Sequence, residues 1–281
     1  MPDRYVVIGN PIAHSKSPRI HHLFALQTGQ DIQYDLLLAP LDGFRETLAQ
    51  FFSHGGCGAN VTVPFKQEAS NVVHTLSARA CAAGAVNTIV RLPSGLLEGD
   101  NTDGIGLLRD LQSNHGVLLK GAVVGLIGAG GAARGVAGSL LDAGAAHVVV
   151  ANRNLVRARD LVDAFAGIGS IRACALNDLP VAVDIVINAT SSSLTGAPLR
   201  LPSHCVGSHT ICYDMMYASE PTAFMEWARQ LGAARQFDGL GMLVEQAAEA
   251  FRIWRNKTPE TVPVIAKLRE ELVFRSNPPG T

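Results

Sequence analysis

Ten residues near the middle of the chain, LIGAGGAARG from Leu126 to Gly135, constrain the fold more than any other stretch. They hold Gly128-x-Gly130-x-x-Ala133, the dinucleotide fingerprint with alanine in its third place. A β-rich run, Ala122 to Ile127, precedes it, an apolar helical pattern follows, and a second strand reads at Val148 to Val150. Strand, glycine turn, helix and strand in one pass require a parallel βαβ unit. The glycines let backbone approach a pyrophosphate, and the helix start offers unpaired N–H groups and the positive end of a dipole.

The residues after the second strand select the nucleotide. An NAD site wants Asp or Glu there for the ribose 2′-hydroxyl. This chain has Asn152 and Arg153, with Arg157 one turn further on. Guanidiniums attract a 2′-phosphate through charge-assisted bonds, so the expected cofactor is NADP (NADPH). The plainer reading, ordinary solvated residues at a helix start, is disfavoured because arginine there opposes the helix dipole.

The 281 residues suggest two domains, and 47% hydrophobic content is enough for substantial cores. RYVVIG reads as a strand, and SKSPRIHHLFALQTG as a helix with Ser17 as N-cap, Pro18 at its first position and Gly29 as its stop. IQYDLLLA is a strand, LDGFRETLAQFF a helix and GANVTV a third strand. Beyond the glycine loop, VDIVINAT and HTICYDMMY read as strands, and the chain closes with two helical stretches and a polar, frayed tail, RSNPPGT. The alternation predicts an α/β fold with mainly parallel pairing. Boundaries fall near 103–120 and near 238, giving units of 1–104, 105–238 and 239–281.

Charge and motif content exclude several functions. A net charge of −1 provides no basic field for nucleic acid or anionic lipid. No apolar run reaches membrane-spanning length, and the N-terminus has no signal-like apolar core. Five cysteines without C-x-x-C read as reduced thiols, and the histidines form no metal-ligand array. The expectation is a cytoplasmic protein with no metal and a small-molecule partner.

In ANVTVPFK a strand-like run is cut by Pro64, and Lys66 follows. An enzyme that interconverts an alcohol and a ketone with a nicotinamide must move a proton as well as a hydride, and lysine can serve where a carboxylate orients it. GDNTDG offers Asp100 and Asp103. Asp103 is equally suited to cap the helix that follows, and spacing leaves open whether it meets Lys66.

The motifs GNPIAHSKSP, GANVTVPFK, AGAVNT, GDNTDG, GAGGAARG, NRN, INATSS, CYDMMY and DGLGMLVEQAA together resemble the bacterial shikimate dehydrogenases, in order over nearly the whole chain. The resemblance implies an open α/β substrate domain beside a Rossmann-like NADP domain, with the C-terminal helices returning to the substrate domain. It implies reversible NADPH-dependent reduction of 3-dehydroshikimate to shikimate in aromatic amino-acid biosynthesis. A monomer or homodimer is expected, a choice the sequence leaves open. The family's catalytic lysine falls on Lys66 and its aspartate partner on Asp103. Its carboxylate-binding serines fall on Ser15 and Ser17, and its other substrate positions on Thr62, Asn87, Gln246 and Tyr217, with Asn60 nearby. Its cofactor contacts fall on Gly128, Ala129, Gly130, Gly131, Ala132, Asn152, Arg153, Arg157, Thr190, Met215 and Gly239. One departure is SEPTAF after Tyr217, where a T-P segment is common in the family. Two other readings rank lower. A quinate/shikimate type accepting NAD would carry an acidic residue beside the ribose. An inactive quinate- or shikimate-sensing module would have lost Lys66, Asp103 or the glycine loop.

Overall fold

The computed structural model describes residues 1–181, 183–190 and 201–276. The first half forms β1 (Asp3–Gly9), α1 (Ser17–Thr28), β2 (Ile32–Leu38), α2 (Phe44–Ser53), β3 (Gly56–Val61), α3 (Lys66–Val72), β4 (Thr75–Leu76), α4 (Ala78–Ala83), β5 (Thr88–Arg91) and β6 (Leu97–Asp100). Its six strands lie in the order β2-β1-β3-β5-β6-β4. β1 runs parallel to both β2 and β3, whereas β5 is antiparallel to β3 and β6.

The second half opens with α5 (Asp103–Arg109) and a π-helical turn at Asp110–Asn114. It continues through β7 (Val123–Ile127), α6 (Gly131–Asp142), β8 (His147–Ala151), α7 (Leu155–Ala164), β9 (Ile171–Cys174), β10 (Ile185–Asn188), β11 (Ile211–Asp214), α8 (Ala223–Gln230) and β12 (Arg235–Asp238). The order is β12-β11-β10-β7-β8-β9, and every neighbouring pair is parallel. That is the doubly wound order of a Rossmann sheet, whose winding reverses between β7 and β10. The glycine loop therefore sits at the switch point.

Two helices, α9 (Leu240–Arg255) and α10 (Val262–Ser276), complete the chain. α9 packs on α5, where a Cβ on Gly106 would stand 2.7 Å from Gln246 Cβ. Its far end reaches the first sheet: Trp254 Nε1 donates to the Ile89 carbonyl at 3.0 Å, and Phe251 meets Phe24 of α1.

Three local expectations change. Lys16, not Ser17, is the N-cap of α1. No side chain caps α1, although Ser15 Oγ accepts from the Ser17 N–H at 3.3 Å, while Gly29 takes the left-handed stop as expected, with φ 64°. β3 ends at Val61, although the Thr62 N–H still donates to the Ile8 carbonyl at 2.9 Å, so Thr62 and Val63 lie just past the strand. Asp103 is the first helical residue of α5, and Thr102 holds the cap position. The tail beyond Ser276 lies outside the described residues, as do Ser191 and Ser192 of INATSS.

Candidate active site

The turn that delivers Lys66 is anchored by its neighbour. Phe65 is buried and stacks on Phe44 with ring centroids 4.9 Å apart, and the Lys66 carbonyl accepts from the Val86 N–H at 2.7 Å. Lys66 thus starts α3 on a fixed base. Its Nζ lies 2.6 Å from Asp103 Oδ2, with side chains only 16% and 6% exposed. The carboxylate is held from elsewhere too: Asn87 Nδ2 donates to Oδ1 at 2.7 Å, and the Asp103 N–H donates to Asn101 Oδ1 at 3.1 Å. The choice left open by spacing falls on Asp103. Asp100 is taken by Arg79, through bonds of 2.6 and 2.7 Å, and by Ser77. Burial alone would raise the Asp100 pKa, but Arg79 and Ser77 outweigh it and lower it.

Gln246 joins this cluster from α9, with Oε1 3.4 Å from both Asn87 Nδ2 and Thr102 Oγ1. Thr62, half-buried, packs against the backbone at Gly9, where a Cβ would overlap its methyl group. Asn60 has a different place. Its amide is consumed by Tyr34, the Asn87 carbonyl and Thr88, so it braces the cluster from behind. Ser15 and Ser17 bring their hydroxyls within 3.2 Å of each other at the start of α1. Tyr217 packs against the core cluster that includes Ile20, Phe24, Leu240 and Val244, and burial raises its pKa, with Asp238 adding to the effect. Neither the serines nor Tyr217 hydrogen-bonds to Lys66 or Asp103.

The candidate cofactor residues share one edge. Gly128, Asn152, Thr190, Met215 and Gly239 each stand one or two residues past the end of a parallel strand, where open α/β sheets receive ligands. The Gly128 N–H bonds to the Ala151 carbonyl at 2.8 Å, and φ there is +112°, which demands glycine. A Cβ on Gly130 would meet nothing within 4 Å, leaving an open cradle at the start of α6. Ala132 lies in the first turn of that helix. Arg153 and Arg157 are exposed and make no ion pair among the described residues, and Asn154 caps α7 by accepting from the Val156 and Arg157 N–H groups. A pyrophosphate and a 2′-phosphate fit these donors.

The two halves meet at the lysine. A Cβ on Gly131 would stand 3.4 Å from Lys66 Cβ, and one on Gly135 would stand 2.9 Å from Asp103 Oδ2. Glycines in α6 thus let the nucleotide helix press against the Lys66–Asp103 pair.

Some participants were not singled out from the sequence. Asn101 and Thr88 sit inside quoted motifs, but a polar residue in a motif carries no sign of what it faces. His21 is fully buried, stacked on Tyr34 at 4.2 Å, with both ring nitrogens unpartnered. Burial pushes its pKa down to about 3. Among the described residues no cluster of three or more His, Cys, Asp or Glu could hold a metal, and no helix is long and apolar enough to cross a membrane.

A Rossmann sheet whose glycine loop abuts a lysine–carboxylate pair from a second α/β unit defines a two-domain nicotinamide-dependent oxidoreductase. Family profiles agree: the shikimate dehydrogenase substrate-binding domain matches residues 7–89, shikimate/quinate 5-dehydrogenase 111–196, and the shikimate 5′-dehydrogenase C-terminal domain 239–269. The NADP(+)-dependent shikimate dehydrogenase of Hahella chejuensis is 54% identical over 95% of this chain and 99% of its own. That of Alkalilimnicola ehrlichii is 52% identical over 96% of this chain and 100% of its own. The shikimate 5-dehydrogenase of Thermus thermophilus, solved in complex with NADP(H) and shikimate, superposes with a TM-score of 0.85. It is 33% identical, over 96% of this chain and 100% of its own. The chain belongs to the shikimate dehydrogenase family.

Proposed function

We propose that this chain catalyses the reversible NADPH-dependent reduction of 3-dehydroshikimate to shikimate, with Lys66 as acid/base. The observation that carries this is the 2.6 Å contact between Lys66 Nζ and Asp103 Oδ2, facing Gly131 of the glycine loop. NADPH, when bound, supplies the hydride. Lys66 Nζ donates a proton to the carbonyl oxygen as it becomes a hydroxyl, and takes it back in the oxidation. Asp103 orients the ammonium and accepts from the neighbouring ring hydroxyl. Ser15 and Ser17 hold the substrate carboxylate, while Thr62, Asn87, Gln246 and Tyr217 bind around the ring. A polyhydroxylated acid needs several such partners, because each buried polar group left unpaired costs about 1–3 kcal/mol.

Gly128 to Ala132 would hold the pyrophosphate, Asn152, Arg153 and Arg157 the adenosine 2′-phosphate, and Thr190, Met215 and Gly239 the nicotinamide half. We assign residues 1–104 to the substrate domain, 105–238 to the nucleotide domain and 239–281 to helices of the substrate domain. The bonds from Trp254 and Arg255 back to Ile89 and Asp3 support the last assignment. We further propose a cytoplasmic monomer or homodimer with small-molecule partners and none of nucleic acid.

The test is an absorbance assay at 340 nm crossing shikimate and quinate with NADP and NAD. Turnover should be highest with shikimate and NADP. Equal rates with quinate, or with NAD, would overturn the assignment in favour of the broader quinate/shikimate type. Arg153→Ala should raise the KM for NADP and leave that for NAD unchanged.

A further inference from the structure

We propose that Tyr34 and Thr88 are positioning residues for this reaction: with Asn60 they form a buried hydrogen-bond relay that fixes the Asn87 amide and, through it, the Asp103 carboxylate. The inference rests on Lys66 and Asp103 being the acid/base pair.

The relay has five bonds. Tyr34 Oη donates to Asn60 Oδ1 at 2.6 Å, and Asn60 Nδ2 donates to Thr88 Oγ1 at 3.1 Å. Thr88 Oγ1 donates to Asn87 Oδ1 at 2.8 Å, and Asn87 Nδ2 donates to Asp103 Oδ1 at 2.7 Å. The fifth is the bond from Lys66 Nζ to Asp103 Oδ2. Tyr34, Asn60, Thr88, Asn87 and Asp103 are all buried, so water does not compete for these groups.

Two backbone groups set the direction of every donor. The Thr102 N–H can only donate, and it lies 2.9 Å from Asn87 Oδ1. The oxygen of that amide must face it, which turns Nδ2 toward Asp103. The Asn87 carbonyl can only accept, and it lies 3.0 Å from Asn60 Nδ2. Asn60 Oδ1 must then face Tyr34, so the phenol is the donor. One proton remains for the Thr88 hydroxyl, and it points to Asn87 Oδ1. Turning the Asn87 amide over would set its oxygen against the Asp103 carboxylate and its NH2 against the Thr102 N–H. Thr88, accepting on one side and donating on the other, raises the cost of that error.

The far end of the relay is also held. The Tyr34 ring lies on the His21 ring at 4.2 Å with an interplanar angle of 8°, and its hydroxyl neighbours Ser17. His21, kept neutral by burial, adds no charge beside the phenol. The relay thus runs from a phenol beside the serine assigned to the substrate carboxylate to the group assigned to the proton.

The test is steady-state kinetics of Thr88→Val, Thr88→Ser, Tyr34→Phe and Lys66→Ala, each with a thermal melt. Net hydrogen-bond energies correspond to about 2–10-fold per bond, so Thr88→Val, which removes two, should lower kcat by about 4–100-fold with the KM for NADP unchanged. Thr88→Ser keeps the hydroxyl and should stay within about twofold of the parent, since both bonds persist. Tyr34→Phe should lower kcat by about 2–10-fold, the worth of one bond. Equal losses for valine and serine, a loss confined to KM, or no loss for valine would each overturn the relay. If Thr88→Val does not fold, Tyr34→Phe decides, and an unchanged kcat there overturns the proposal. Lys66→Ala separates the two levels. Inactive Lys66→Ala beside fully active Thr88→Val and Tyr34→Phe defeats the relay alone, whereas active Lys66→Ala defeats the acid/base assignment beneath it.

Discussion

Lys66 Nζ and Asp103 Oδ2 stand 2.6 Å apart although 37 residues separate them in the chain. One starts α3 after the Pro64 turn, and the other starts α5, the first helix after the first sheet. Both side chains are largely removed from water, so neither charge is well solvated without the other.

Removing the lysine tests the acid/base role directly. Lys66→Ala should lower kcat by about 10²–10⁴-fold, the usual size of that contribution. NADP binding, followed by fluorescence titration, should stay near the parent value. Turnover within about tenfold of the parent would remove Lys66 from the proton-transfer step.

The paired hydroxyls of Ser15 and Ser17 predict a different kinetic signature. In the proposed role as carboxylate donors they serve substrate and transition state alike, so replacing both by alanine should raise KM and leave kcat little changed. An unchanged KM for shikimate would mean the carboxylate binds elsewhere.

Gly135 is where the nucleotide helix passes Asp103. An alanine there would place Cβ 2.9 Å from Asp103 Oδ2 and 3.0 Å from Asn101 Oδ1, so the carboxylate must shift. Small misplacements of reacting groups cost up to about 10²-fold, and Gly135→Ala should therefore lower kcat well beyond any change in NADP affinity. A variant with parent-like kcat would show that the carboxylate has room to move.

Acid stability should depend on Glu249, a buried carboxylate shared by Arg79, Arg109 and Arg252. Burial alone would raise its pKa, but Arg252 and Arg109 outweigh burial and hold it near 2. A pKa below the unfolded value of 4.5 means the stabilisation is present above pH 4.5 and is lost as pH falls toward 2. Thermal melts should show Tm falling across that window. Glu249→Gln should lower Tm at pH 7, because three arginines then face a neutral side chain, and flatten the acid limb. An unaltered acid limb in Glu249→Gln would assign the loss to other carboxylates.

Much of the architecture was readable from local pattern. The glycine fingerprint and its flanking strands required the βαβ unit that stands at the switch point of the second sheet. Gly29 stops α1 as its position suggested, because a residue without Cβ takes the left-handed conformation at little cost. Short elements were harder. β4 has two residues and β5 and β6 four each, too few for a hydrophobic period to register. Ser17 suits a cap by residue type, but the backbone already turns helical at Lys16, so the cap falls there and Ser17 becomes the first residue of α1.

By itself the sequence determined which groups this protein has for chemistry: a nucleotide turn, cations in place of an acidic residue after the second strand, and a lysine delivered past a proline. Periodicity and turn chemistry act between near neighbours, so they are written locally. What only the tertiary structure decided is which partners these groups take: Asp103 and not Asp100 for Lys66, Asn87 for Asp103, and Asn60 turned inward to Tyr34 and Thr88. The physical reason is that a buried hydrogen bond depends on the direction and desolvation of both groups. Both are set by how sheets and helices from distant parts of the chain pack together.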